Sequence, residues 1–439
     1  MSRKFFSWGR YPNIKQSKMI VSDRFAELPL NAETELPYGV LPYGNGRSYG
    51  DSCLNEGGVI VGTEHLNRFI SFDAASGILR CEGGVLLSEI LDLVVPQGWF
   101  IAVTPGTKFV SVGGAIANDV HGKNHHRAGT FGCHVRCFEL LRSTGERLIC
   151  SPEQNTEYFR TTISGLGLTG LITWAEIQLR RVSNSAISLE NIKYKNIDEF
   201  FQLSAESEAD YEYTVAWVDC LATGNSLGRG HFTRGNHAPS QAGSPRHSSH
   251  KLNMFLDSPI SLINKTSLRA FNTVYYHKQL QHSKHSISHY DPFFYPLDSI
   301  HNWNRIYGPK GFLQYQCVVP MDESRDAVAE MLKRIALSGA GSFLMVLKVF
   351  GDVESPGYTS FPRPGTTLAL DFPYLGPSTL ELFNELDQIV DLANGAIYPA
   401  KDAHMSAAGF KKYYPNWRKL AELKDPNISS SFWRRVSEQ

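Results

Sequence analysis

The chain has 439 residues, too many for one simple core, and reads as two domains with three as the upper bound. Its apolar fraction of 42% and charged fraction of 20% are those of an ordinary globular protein, with a somewhat rich aromatic content of 12%. A formal net charge of zero gives neither the basic field of a nucleic-acid binder nor the acidity of a disordered chain. The start, MSRKFFSWGRYPN, is charged and has no apolar core of signal length. No window approaches the roughly 18 unbroken apolar residues of a membrane span, so membrane contact, if any, is peripheral. Seven cysteines without paired spacing argue against a disulfide framework and for a reducing compartment.

Residues 37–180 read as short β runs broken by glycine. GVIVGT (58–63), GILRCEGG (77–84), LICSP (148–152) and LITWAEIQLRRV (171–182) are the clearest strands. LLSEILDLVVPQG (86–98) has helical apolar spacing, opens near Ser88 and Glu89, and is closed by Pro96 and Gly98. A second short helix is expected within VGGAIANDVHG (112–122). The alternation predicts an α+β fold.

The texture changes over 183–395. NIDEFFQLSAESEADYEYTVAWVD gives a helix and then a strand. FLQYQCVVP (312–320), SFLMVLKVFG (342–351) and TTLALDFP (366–373) read as strands, DESRDAVAEMLKRIALSG (322–339) and STLELFNELDQIVDLANGAIY (378–398) as helices, the second capped near Asn394-Gly395. This order predicts an antiparallel sheet with helices on one face. GNHAPSQAGSPRHSSHK (235–251) is polar and aperiodic and is expected to be a loop.

Four stretches could carry chemistry. In PYGNGRSYGD (42–51), Gly44 and Gly46 can turn several amide N–H groups toward one anion. A glycine-rich surface turn reads the same way. The stretch is neither a dinucleotide G-x-G-x-x-G nor a P-loop, because no helix follows it and no G-K-[ST] is present. In TPGTKFVSVGGAIANDVHGKNHHRAGTFGCHV (104–135), small Gly113, Gly114, Ala115 and Ala117 allow a flat ring or a pyrophosphate to reach the backbone. Asp119, His121, Lys123, His125 and His126 follow within eight residues. A zinc set of His121, His125, Cys133 and Cys137 fits no common spacing, so no metal is expected. That leaves a cluster of core or surface histidines, or a ligand pocket lined by His121 and Lys123. SGLGLTGLITWAEI (164–177) reads equally as a backbone approach to something flat and as a tight turn. In the last stretches, Gln314 and Gln316 share one face of a strand and Tyr315 takes the other. Lys348 sits in an apolar strand, and Tyr398 and Lys401 follow a helix end. Burial would depress the Lys348 pKa, although lone strand lysines also snorkel to water.

Taken in order, YGNGRSYGD, the 104–126 stretch, GLGLTG, FLQYQCVVP, FLMVLKVFG, YPAKD and the tail DPNISSSFWRR resemble the decaprenylphosphoryl-β-D-ribose 2′-oxidase family. That family belongs to the FAD-linked oxidases of the vanillyl-alcohol-oxidase (PCMH-type) fold, and the resemblance spans nearly the whole chain. It implies an FAD domain built from 1–184 and 396–439, with a substrate domain, 185–395, inserted between. It implies that Tyr43, Gly44, Asn45, Gly46, Arg47, Ser48, Tyr49 and Gly50 hold the FAD pyrophosphate together with Ser111, Val112, Gly113 and Gly114. Gly106 joins the cofactor set. Asn118 and His121 would lie near the isoalloxazine, Leu171 or Ile172 near the adenine, and Tyr398 against the flavin. Lys401 would be the first catalytic residue, helped by Tyr49 or His121, with Lys123, Gln314, Gln316 and Lys348 lining the substrate pocket. Covalent-flavin relatives carry histidine where this chain has Arg47. A guanidinium is not a nucleophile, so the expected FAD is dissociable. Thr367 and Ala369 stand where the best-known branch has asparagine and cysteine, which implies insensitivity to inhibitors that attack that thiol and alters the pocket around the sugar.

The implied reaction oxidises the 2′-hydroxyl of a polyprenylphosphoryl pentose to the keto sugar. A short-chain reductase partner would complete an epimerisation to arabinose for cell-envelope polysaccharide. The implied location is cytoplasmic, with peripheral contact at the inner membrane left open. Two rivals stand beside it. One is an oxidase of a free sugar, sugar acid or aldonolactone on the same fold. The other is a flavin-binding scaffold without turnover.

Overall fold

The computed structural model describes residues 5–28, 37–243, 245 and 252–437. Among them three larger sheets carry the architecture. Ser17–Ile20, Val59–Gly62 and Val40–Tyr43 form a small parallel sheet in that spatial order. Phe69–Asp73, Ile78–Glu82, Leu171–Gln178, Val135–Leu141 and Arg147–Cys150 form a five-stranded antiparallel sheet. The third sheet has eight strands. Its centre is Tyr213–Val218, Met345–Phe350, Gly365–Pro373 and Phe312–Val319, all antiparallel neighbours. This mixture of helices and mainly antiparallel sheets is the α+β class expected from the alternation of patterns.

The helices form where periodicity and punctuation place them. Leu87–Val94 buries Leu87, Ile90, Leu91 and Val94, and Glu89 caps its start by accepting from the Leu86 N–H at 2.7 Å. It tightens into a 3₁₀ turn at Val95–Gln97 and ends on left-handed Gly98. Val112–Ala117 is shorter than the 112–122 stretch, because Asn118 leaves the helical region and Asp119 takes φ +42°. The last predicted helix ends at its expected cap near Asn394-Gly395. It runs Pro377–Leu392, Asn394 turns left-handed, and Ala396–Ile397 becomes a strand beside Cys317 and Val318. The tail from 396 therefore begins inside the large sheet.

Within the 235–251 stretch, Gly235, Asn236 and His237 are not loop: they complete the strand Gly230–His237 and pair with Leu189, Ser188 and Ile187. Residues 244 and 246–251 of that stretch lie outside the described residues.

Strand period decides which side chains of the large sheet meet the helices. Tyr315 donates to Asp387 at 3.0 Å and packs its ring on Phe383, while Cys317 lies against Met331. The alternate residues Gln314 and Gln316 point to the opposite face. On that face the register places Gln314 beside Asp371, Gln316 beside Ala369, Ala369 beside Val346, and Thr367 beside Lys348. One polar patch is thus assembled from three strands.

Candidate active site

The polar face of the large sheet looks across a cavity of about 580 Å³ toward the two smaller sheets. One end is backbone and small residues: Pro42–Ser48, Gly83, Ser111, Gly113, Gly114 and Gly167. Gly46 takes φ +62°, which a side chain would oppose. A Cβ on Gly106 would meet nothing within 4 Å, so its absence leaves room in the cavity. No backbone N–H of residues 44–48 donates to another described residue, which leaves an amide cradle for an anion. The 111–114 segment contributes less than expected. The Val112 and Gly113 N–H groups are spent on the Val85 and Gly83 carbonyls, and Gly114 N–H faces Ser111 Oγ at 3.3 Å.

Arg47 projects beside this cradle. Its guanidinium lies 4.2 Å from the Trp8 ring centroid and 5.3 Å from that of Phe109. Its buried Nε has no partner among the described residues. Burial pulls its pKa down, with Asp298 opposing.

The other end carries side-chain chemistry. Tyr49 N–H donates to the Ala400 carbonyl at 3.1 Å, which ties the opening loop to the 398–402 turn. That contact holds Lys401 Nζ 3.8 Å above the Tyr49 ring. Tyr398 donates through its hydroxyl to the Asn118 carbonyl at 2.9 Å, and Asn118 donates to the Gly114 carbonyl at 2.8 Å. His121 stands between Gln316, 3.0 Å from its Nε2, and Lys348, 3.1 Å from its Nδ1. Lys348 also donates to the Gly122 carbonyl at 3.2 Å. Lys123 donates to the Phe294 carbonyl at 3.1 Å.

Burial sets the electrostatics. It pulls Lys401 down to about 8, with Asp371 partly restoring the charge, and Lys123 to about 8. Lys348 falls to about 7 through burial and the two neighbouring amines. Burial and then Lys348 hold His121 well below its ordinary value, so it is neutral. A neutral imidazole has one N–H, yet both its nitrogens face nitrogen donors. Two arrangements resolve this. Neutral Lys348 accepts from Nδ1–H while the Gln316 amide donates to Nε2. Alternatively, Lys348 ammonium donates to Nδ1 and Gln316 turns its carbonyl oxygen to Nε2–H. The His121 proton is therefore tied to the Lys348 charge.

All the expected site residues except two line the cavity. Gly50 does not, and a Cβ there would run into the Asp402 carbonyl, so its small size serves the turn that carries Lys401. Val112 does not, because it is a fully buried core side chain. The histidine cluster divides. His121 enters the cavity, His125 packs on Phe350 with a 4.7 Å centroid separation, and His126 contacts the Tyr211 carbonyl. GLGLTG is both things at once, a tight turn with left-handed Leu166 and Gly167 and a cavity wall through Gly167 and Gly170.

Sequence reading missed Asp371. It lines the cavity, accepts from Gln314 at 2.7 Å, and is pushed up to about 7 by burial. The alternation Thr367, Ala369, Asp371 was the available signal. It also missed Arg435, which bonds Asp51 at 2.7 Å and Asp402 at 2.9 Å from one guanidinium.

An amide cradle, glycine-spaced room and a half-buried amine–imidazole cluster in one cavity fit a dinucleotide-dependent oxidoreductase. Residues 30–151 match the FAD binding domain family, and the cofactor is FAD. The chain is 34% identical to decaprenylphosphoryl-beta-D-ribose oxidase of Mycolicibacterium smegmatis over 99% of this chain and 97% of that one. It is 30% identical to an uncharacterized protein of Streptomyces coelicolor, covering 80% of this chain and all of the relative. A putative D-arabinono-1,4-lactone oxidase of Neurospora crassa is 26% identical over 35% of this chain and 27% of its own length. The chain belongs to the decaprenylphosphoryl-β-D-ribose oxidase family.

Proposed function

We propose that this protein is an FAD-dependent oxidoreductase that converts the 2′-hydroxyl of a polyprenylphosphoryl pentose, of the decaprenylphosphoryl-β-D-ribose type, to the 2′-ketone. The observation that carries this reading is Lys401, a half-buried amine at about 8 held over Tyr49, in the same cavity as the amide cradle. The free N–H groups of residues 44–48 and the open side of Gly106 suit a pyrophosphate, and Asn118, Tyr398, Leu171 and Ile172 suit the rest of the cofactor. When bound, FAD supplies the two-electron acceptor for the hydride of the carbinol carbon.

The chain's own residues supply binding and proton handling. Lys401 Nζ takes the hydroxyl proton, a task matched to a group that titrates near neutrality. The Tyr49 ring and Asp371 fix the position and charge of that amine. Gln314, Gln316 and His121 offer donors and acceptors for sugar hydroxyls, and Lys123 and Lys348 offer cations to the phosphate. On this reading 1–184 and 396–439 hold the cofactor and lend His121, Lys123 and Lys401 to the substrate, and 185–395 supplies the rest of the substrate site.

Leu189, Trp217, Tyr275, Phe293 and Phe294 extend the cavity with an apolar wall. That wall favours a lipid-linked sugar over the free sugar or lactone of the rival reading. The keto product calls for a separate hydride-donating reductase, of the short-chain class, if the hydroxyl is to be restored with inverted configuration. The deciding experiment mixes the yellow protein anaerobically with polyprenylphosphoryl ribose, free pentoses or aldonolactones. Bleaching by the lipid-linked sugar alone supports the reading. Bleaching only by free sugars or lactones overturns it, and bleaching by none favours a scaffold.

A further inference from the structure

Half of the exposed large apolar side chains among the described residues lie between 252 and 287, although that stretch is a small fraction of the chain. Such concentration marks an interaction surface rather than ordinary exposure. Phe255, Leu256 and Ile260 stand out at 78%, 82% and 69% exposed. The helix Lys265–His277 follows, held to the protein by Leu268, Asn272 and Tyr276 at four-residue spacing. Its other side turns Arg269, Thr273 and Val274 to solvent. Leu280 and the strand Ser283–Ser288, at the edge of the large sheet, continue the exposed surface through Lys284 and Ile287.

Charge on this surface is one-sided. Four cations, Lys265, Arg269, Lys278 and Lys284, accompany a single carboxylate, Asp257. Asp257 is already paired with Arg10 at 2.8 Å. None of the four cations forms an ion pair with a described residue. In a chain of zero net charge this is a local excess, and apolar side chains interspersed with cations that no described carboxylate pairs are complementary to an anionic lipid headgroup layer.

The surface is continuous with the cavity. Phe271 stacks on Tyr275 with ring centroids 5.5 Å apart, and Lys278 Nζ lies 3.3 Å from the Tyr275 centroid. Tyr275 lines the cavity, as does Ser288 at the end of the edge strand. On the other side Leu262 N–H donates to the Ile306 carbonyl, beside cavity-lining Trp303.

We infer that the 252–287 surface docks the protein on an anionic bilayer and brings the cavity to the lipid. No helix among the described residues is long and apolar enough to cross a membrane, so the contact is interfacial. This inference deepens the proposed function, since a lipid-linked sugar would then enter from the bilayer without leaving it.

The test sediments the full-length, FAD-loaded protein with vesicles of phosphatidylcholine alone or with added phosphatidylglycerol, containing no sugar substrate. Binding is expected to the anionic vesicles and to weaken as salt is raised. The triple variant Lys265→Glu, Arg269→Glu, Lys284→Glu should bind on the order of a hundredfold more weakly. The variant Phe255→Ser, Leu256→Ser, Ile260→Ser should also lose binding. Retained flavin absorbance shows that each variant is folded. No sedimentation, equal sedimentation with both vesicles, or binding unchanged in both variants overturns the inference. So does light scattering that shows a lipid-free dimer abolished by the serine variant, which would give the surface to a second copy. Loss of vesicle binding with intact oxidation of lipid-linked ribose sinks this inference alone. Binding without that oxidation sinks the substrate assignment alone.

Discussion

The ammonium of Lys401 sits 3.8 Å above the ring of Tyr49, although 352 positions of sequence separate them. Two backbone bonds make the contact, Tyr49 N–H to the Ala400 carbonyl and Asp51 N–H to the Asp402 carbonyl. Burial holds this amine at about 8, so the neutral fraction grows as pH rises through that value. The rate of flavin reduction by substrate should therefore rise across pH 7–9. Lys401→Ala should lower that rate by about 10²–10⁴ and flatten the pH profile while FAD stays bound. Rapid-mixing absorbance checks both. An unchanged rate in the variant would dismiss Lys401 as the base.

Arg435 clamps the same two turns from the C-terminal helix. Burial pushes Asp402 up, but Arg435 and then His404 outweigh it and hold the group below its ordinary value. Asp51 shares the arginine, and burial prevails there, so its pKa is raised. Arg435→Met leaves buried Asp51 without its cation and Asp402 with His404 alone, and should cost about 3–5 kcal/mol of stability. Arg435→Lys should recover part of this, since an ammonium cannot match the forked guanidinium. For Asp402 the depressed folded value means its contribution is present above the ordinary carboxylate range and is lost as pH falls through the folded value. Asp51, whose folded value is raised, loses its charge first as pH falls and with it the pull of Arg435, so urea titrations at pH 7 and pH 4 should show the gap between wild type and Arg435→Met narrowing at the lower pH.

Arg47 cannot form the flavin bond that a histidine forms, because its guanidinium is not a nucleophile. Acid precipitation should leave the yellow colour in the supernatant. A yellow pellet would contradict this.

Cys53 lines the cavity, and burial followed by Asp51 pushes its thiol up to about 12. Ala369 places no thiol between Gln316 and Val346. Prolonged iodoacetamide at pH 7 should therefore leave flavin reduction unchanged, because little thiolate exists to react. Inactivation in step with alkylation of Cys53 would refute the assigned environment.

Much of the site was legible because the relevant signals are local. Strand period placed Gln314 and Gln316 on one face, and glycine spacing marked the 44–48 turn. Other features were not legible. Asp371 looked like one more polar residue in an apolar run until the register set it beside Gln314. Arg435 gave no signal, since its partners lie in turns far away in sequence. The 111–114 amides looked available because their acceptors, Val85 and Gly83, belong to another segment.

By itself, the sequence determined the class of fold, the flavin family and many of the polar side chains and glycines around the cavity, because those follow from residue type, short-range period and motif. Only the tertiary structure decided which amides are free, which amine faces which ring, and how far each is buried. Those properties depend on long-range pairing and on removal from water. Pairing is set when distant strands fall into register, and burial sets the protonation of Lys401, Lys348 and His121.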